Sequence, residues 1–298
     1  MQSTTKMAGS KGELSKAMSI RSMDIRTKVN TRPLHPNLLA RNIHLRVLLT
    51  IFLCFVGFPV TAADQEQACE RFAHYIFMRD WSPSVCIKYA KEGAMCIIPN
   101  ASRNWIVHGL WPSAPAGERL FISCDGPEFS RDAVSGLEPA LDTIWPNPEF
   151  EQADTTARGR TWAWRHEWEK HGTCAALCDP QVDGQSAYFQ LAMDLNKRYD
   201  IASVLDHAGI MPNAMTPIAS VTLVNVLKKA FGVNPIIECV TPNRGDTAYL
   251  YAIGLCFSKS HDPLDCHQES DTSDASCPAT VIYPTQNIPA RPRQSRNH

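Results

Sequence analysis

No apolar run in the 298-residue sequence is long enough to cross a bilayer comfortably, no segment repeats, and almost no net charge is left over. The apolar stretch Val47–Val60 has fourteen residues, short of the roughly 20 a spanning helix needs. No composition break divides 64–283, which favours one domain over several. Helix-like and strand-like segments do not alternate regularly, which disfavours a doubly wound parallel sheet and fits an α+β fold. The expected architecture is a single disulfide-rich domain with an antiparallel sheet packed against several helices.

The overall charge of −1 hides an asymmetry. Residues 1–63 carry nine Lys/Arg and two Asp/Glu, leaving 20 basic against 28 acidic residues in the rest. Arg46, the apolar run and Thr61-Ala62-Ala63 read as a secretory signal peptide cleaved near Ala62 or Ala63. The basic stretch 1–42 is long for such a leader. A later start at Met18 or Met23, a long leader and an uncleaved anchor are the three accounts; a removed leader spanning 1–63 is favoured. Of eleven cysteines, Cys54 leaves with it. Ten remain, an even number on a secretory route, which implies up to five disulfides. Asn100-Ala101-Ser102 is a glycosylation sequon.

Residues 70–81 read as a strand buried on both faces. Cys86 and Cys96 bracket a polar loop. Residues 104–108 form a short strand stopped by Gly109 and Pro112. A helix over 132–145 is weakened by Gly136 and Pro139. Further helices begin near Ser186 and Ile201, and one is capped by Ser220, with Val221, Val224, Leu227 and Phe231 as its core stripe and Gly232 at its end. Strands follow at 235–240, 247–257 and 280–283. The domain is expected to span 64–285, with a disordered tail at 286–298.

The chemistry concentrates in residues 160–174, RTWAWRHEWEKHGTC. A helix over 160–171, stopped by Gly172, puts Glu167 and His171 on one face and Lys170 beside Glu167. His166 diverges from His171 by about 140°. A zinc helix would need its histidines at i and i+4; the spacing here is one residue too long. Residues 105–112, WIVHGLWP, place His108 at the rim of a sheet. Two imidazoles, a carboxylate, a lysine and indoles suit metal-free phosphoryl chemistry. RNA cleavage needs a base for the 2′-OH, an acid for the leaving 5′-oxygen and positive charge for the phosphorane. Imidazoles titrate near working pH, a lysine stabilises developing charge, and an indole stacks on a base.

His-Gly-Leu-Trp-Pro at 108–112 and His-Glu-Trp-Glu-Lys-His-Gly-Thr-Cys at 166–174 closely resemble the two signature segments of the ribonuclease T2 family, in order and in separation. The likeness extends from about 70 to 285. It implies His171 as base, His108 as acid, Glu167 and Lys170 as stabilisers of the phosphorane, His166 as phosphate holder and Trp111 as the platform for the base 5′ to the cut. It implies a 2′,3′-cyclic phosphate followed by a 3′-phosphate, with no metal or other cofactor, single-stranded RNA as substrate and no cleavage of DNA. It suggests the disulfides Cys86–Cys96, Cys124–Cys174, Cys239–Cys277 and Cys256–Cys266; Cys69 and Cys178 are then left over, and we pair them. The expected product is a secreted or lysosomal monomer, free of the membrane once the leader is gone. A secreted effector of the same fold, acting mainly by binding to cells, is the alternative reading. Where many members carry an aspartate after the Trp-Pro, this sequence has Ser113, which puts base preference in doubt. Eight histidines lie beyond the leader, and their charging predicts an acidic optimum by offsetting the repulsion between an acidic chain and phosphates.

Overall fold

The sheet is organised around β1 (His74–Trp81), whose residues beyond His74 are all buried. The computed structural model describes residue 66 and residues 69–92, 96–98, 104–115, 123–148, 159, 161–243, 245–266 and 277–285, all within one compact unit, Val60–His298. The leader, Asn100 and the tail from 286 lie outside the described residues. β1 pairs antiparallel with β2 (Trp105–Ser113) on one side and with β5 (Tyr249–Ser258) on the other. β4 (Ile236–Val240) extends the sheet beyond β5, which also pairs with the short β6 (Pro263–Leu264). The order β2-β1-β5-β4 leaves β2 at an edge. β3 (Ile218–Ala219) and β7 (Thr280–Val281) form a separate small ribbon.

The two faces of the sheet bury different partners. Tyr75, Phe77, Val107 and Leu110 pack with Trp164, Trp168, Tyr188 and Phe189 from the helical layer. Ile76, Met78 and Ile106 pack with Val85 and Ile87 of α1 (Ser82–Glu92). Trp145, Trp164 and Trp168 are at most 1% exposed; each indole removes about 200 Å² from water, worth about 5 kcal/mol before entropy is subtracted. Their N–H groups are satisfied: Trp164 donates to the Trp145 carbonyl at 2.6 Å and Trp168 to that of Pro127 at 2.8 Å.

Several local expectations are corrected. The segment after Trp81 is helix, not loop, from Ser82 to Glu92. Pro83 sits in the first turn, where its missing N–H has no partner to lose. β2 runs through Gly109 and Pro112; an edge strand tolerates proline. The helix expected over 132–145 is a 3₁₀ turn at Asp132–Val134 and then α2 (Glu138–Ile144). Gly172 does not end the central helix. α3 (Trp162–Glu167) passes into a π turn (Trp168–Gly172) and on into α4 (Thr173–Cys178). A Cβ on Gly172 would meet Trp168 Cε3 at 2.4 Å and Tyr188 Cδ1 at 3.1 Å, so glycine is required there for close packing.

α5 (Gly184–Arg198) and α6 (Ile201–His207) match the expected segments closely. In α7 (Ser220–Phe231) the buried residues are Leu223 and Leu227, while Val221 is exposed. Ser220 does not cap it; its hydroxyl donates to the Pro278 carbonyl at 2.5 Å. Gly232 ends it in the left-handed region at φ 80°. All five cysteine pairs stand at bonding distance: Cys69–Cys178, Cys86–Cys96, Cys124–Cys174, Cys239–Cys277 and Cys256–Cys266. Among the described residues no helix is long and apolar enough to cross a membrane.

Candidate active site

β2 carries an irregularity where the chemistry lies. Met78 pairs with Gly109 and Arg79 with Val107, so His108 is the extra residue of a β-bulge. Strict alternation from Ile106 and His108 would put Leu110 on their face and Trp111 on the other. The bulge shifts that parity. Leu110 turns into the helical core and Trp111 packs on the side of Ile106. The result sets the His108 and Trp111 rings edge to face, 5.1 Å between centroids. Trp145 Nε1 holds the bulge by donating to the His108 carbonyl at 3.1 Å.

The second segment approaches the same indole from the helical side. Trp111 Nε1 donates to Glu167 Oε2 at 2.9 Å. The His171 ring lies 5.6 Å from that of Trp111 and is buried. Both imidazoles therefore lie close to one indole, whose N–H is taken up by Glu167. Gly109 makes this approach possible: a Cβ there would stand 2.0 Å from Trp111 Nε1 and 2.3 Å from Glu167 Oε2.

Lys170 is half-buried, and its charge favours the ionised form of Glu167. His166 is exposed and stacked on Trp162 at 5.2 Å with 13° between the planes. Ser113 is fully buried and its hydroxyl donates to the Trp111 carbonyl at 3.1 Å.

Burial pushes the Glu167 carboxyl up; His108, the Trp111 N–H and Lys170 pull it back, and the balance leaves it at about 7. Burial alone would lower His108, but the charge and hydrogen bond of Asp80 and the charge of Glu167 outweigh it, leaving the imidazole at about 9. A cavity of about 190 Å³ opens beside these groups, lined by Asp80, Lys88, His108, Glu167 and Tyr251 among others. A larger hollow of about 620 Å³ lies away from this chemistry, near Pro217 and Cys277.

Sequence reasoning missed Asp80, Lys88 and Tyr251. Asp80 is buried at the end of β1, and its Oδ1 lies 3.2 Å from His108 Nδ1. The only signal was a carboxylate next to Arg79 at the end of a largely apolar strand, where an unpaired charge is costly.

A model of the Ribonuclease T2 family matches residues 72–266. The chain belongs to the ribonuclease T2 family. It is a T2-type endoribonuclease. Ribonuclease Oy of Magallana gigas is 30% identical over 207 residues, which cover 69% of this chain and 92% of that protein. Ribonuclease MC of Momordica charantia is 31% identical over 214 residues, covering 71% and 100%. Among solved structures, ribonuclease MC1 from the seeds of bitter gourd superposes with a TM-score of 0.58 at 28% identity, covering 71% of this chain and all of that one. A mutant of that ribonuclease, solved in complex with 5′-GMP, matches with the same TM-score at 29% identity and the same coverage. The T2 fold and the antiparallel sheet with its helical layer thus agree with the expected class.

Proposed function

We propose that this T2 ribonuclease cleaves single-stranded RNA by metal-free transphosphorylation. His171 takes the 2′-OH proton as the 2′-oxygen attacks phosphorus. His108 gives a proton to the leaving 5′-oxygen, and a 2′,3′-cyclic phosphate forms. With the roles reversed, water opens the ring to a 3′-phosphate. Glu167 and Lys170 stabilise the five-coordinate phosphorus, and His166 holds a phosphate. Trp111, part of whose ring remains exposed, stacks on the base 5′ to the cut. The observation that supports this most is the approach of both imidazoles to one indole, His108 at 5.1 Å and His171 at 5.6 Å from the Trp111 ring centroid.

The base-contacting role lost at Ser113 is not recovered by its hydroxyl, which is turned inward; selectivity must come from other side chains. We also propose that the leader 1–63 directs the chain to the exterior or a lysosome, that Asn100 is glycosylated, and that the enzyme is a monomer free of membranes. The test is incubation of the secreted enzyme with ribodinucleotides in excess chelator. A cyclic phosphate that converts to the 3′-phosphate is expected, with deoxy analogues untouched. Cleavage that stops with chelator, or cuts DNA, overturns the reading.

A further inference from the structure

We propose that Asp80 is a positioning residue for His108, a buried carboxylate that accepts the Nδ1 proton and turns Nε2 toward the leaving oxygen. This rests on the reading of His108 as the acid. Asp80 Oδ1 is 3.2 Å from His108 Nδ1. Its other oxygen, Oδ2, accepts the hydroxyl of Tyr251 at 2.9 Å, and Lys88 Nζ donates to that hydroxyl at 3.3 Å. The carboxylate is held from two sides, so it presents a fixed acceptor to the imidazole.

The backbone is arranged for this contact. His108 is the bulged residue of β2 on one side of β1. On the other side, Glu238 pairs with Ala252 and Cys239 with Leu250, so Tyr251 is the bulged residue of β5. Both irregularities re-aim a side chain toward the same carboxylate. Bulges of this kind recur beside active sites for that reason. Asp80 itself lies on the sheet face of Ile76 and Met78, under α1, where a charged group needs partners.

The chemistry follows from tautomer control. An acid acting through Nε2 needs Nδ1–H occupied, or the ring can turn and deliver the wrong nitrogen. The groups around the imidazole are Asp80 from β1, Lys88 from α1, Glu167 from α3 and, farther off, Glu238 from β4. Asp80 supplies the largest of the influences that favour the charged ring, against burial and Lys88. The acid therefore stays loaded well above neutral pH.

Asp80→Asn tests this with two readouts. Imidazole ¹H–¹⁵N spectra follow His108 directly, independent of turnover. We expect its midpoint to fall from about 9 toward 6.5, with faster exchange of the Nδ1 proton. An imidazole at 6.5 is about 3% charged at pH 8, so kcat on a ribodinucleotide should drop about 30-fold there and recover toward the parent value near pH 5. Tyr251→Phe, which keeps the ring but takes one donor from the carboxylate, leaves Asp80 a stronger acceptor and should move the midpoint the other way, upward; it serves if Asp80→Asn does not fold. An unmoved His108 midpoint in whichever variant folds overturns the proposal. Failure of the underlying reading looks different: His108→Ala would then retain activity.

Discussion

Trp111 and Glu167 meet through a single hydrogen bond, indole N–H to carboxylate at 2.9 Å, across the space left by the missing side chain of Gly109. That space has no slack. A methyl group on Gly109 would overlap both partners at 2.0 and 2.3 Å, so one of them must move. Gly109→Ala is expected to lower kcat/KM by about 100-fold or more while the protein remains folded. Steady-state kinetics beside a circular dichroism melt would check this, and a fully active variant would contradict the geometry.

Glu167 makes the fold sensitive to pH. Its carboxyl is raised from 4.5 to about 7, so its contribution is fully present below about 4.5 and is lost as pH rises through about 7. His108, raised to about 9, stabilises below about 6.5 and loses that contribution as pH climbs through about 9. Both push the same way. Glu167→Gln removes the first transition and should gain roughly 3 kcal/mol over the parent at pH 8 relative to pH 4. Urea unfolding at the two pH values measures it; parallel pH dependence in the two proteins would refute it.

An acidic optimum should arise mainly in KM. With His108 charged up to about 9, the acid is not what is lost between pH 6 and 8. What changes there is the charge of Glu167, held at about 7, in a site carried by residues 64–298 with 20 basic and 28 acidic side chains; its ionisation adds repulsion towards phosphates. On polymeric RNA the rise in KM should be steepened by salt. A KM that stays level from pH 6 to 8 would refute this.

Cys124–Cys174 closes a 50-residue separation at the start of α4, three residues past His171. Ser123 N also donates to the Lys170 carbonyl at 2.7 Å, so this tether reaches the π turn directly. Replacing both cysteines by alanine should cost about 4 kcal/mol, the loop-entropy value for that separation. It should also reduce kcat by loosening Lys170 and His171. Thermal melts and kinetics on the double variant test both, and a large loss of stability with full kcat would confine the bond to a structural role.

The sequence carried the site's membership better than its geometry. His108, Trp111, Glu167 and His171 were legible because their chemistry is concentrated in two short segments, and the structure gathers them at one indole. The central helix and the strand ends were less legible, because Gly172 and Gly109 read locally as breakers. In the fold they are close-approach points, and only the identity of a distant neighbour reveals that: Tyr188 for one, Glu167 for the other. Asp80 was invisible for the same reason. Its partners are 28 and 171 residues away, and the parity shift that delivers His108 to it is a property of strand pairing, which no single segment encodes. The helix at Ser82–Glu92 was obscured by its polar make-up; its burial comes from the sheet beneath it.

The widened turn at Trp168–Gly172 holds one residue more than an α-helical turn would. Upstream, Trp164 and Trp168 are anchored in the core; downstream, Cys174 and Ala175 are. Excising the half-exposed Glu169 would rewind everything after it by about 100°, so either the downstream anchors or His171 would swing out of place. The surplus residue works as a phase shim: it lets a single rod satisfy two masters, the oily layer beneath it and the indole it must address.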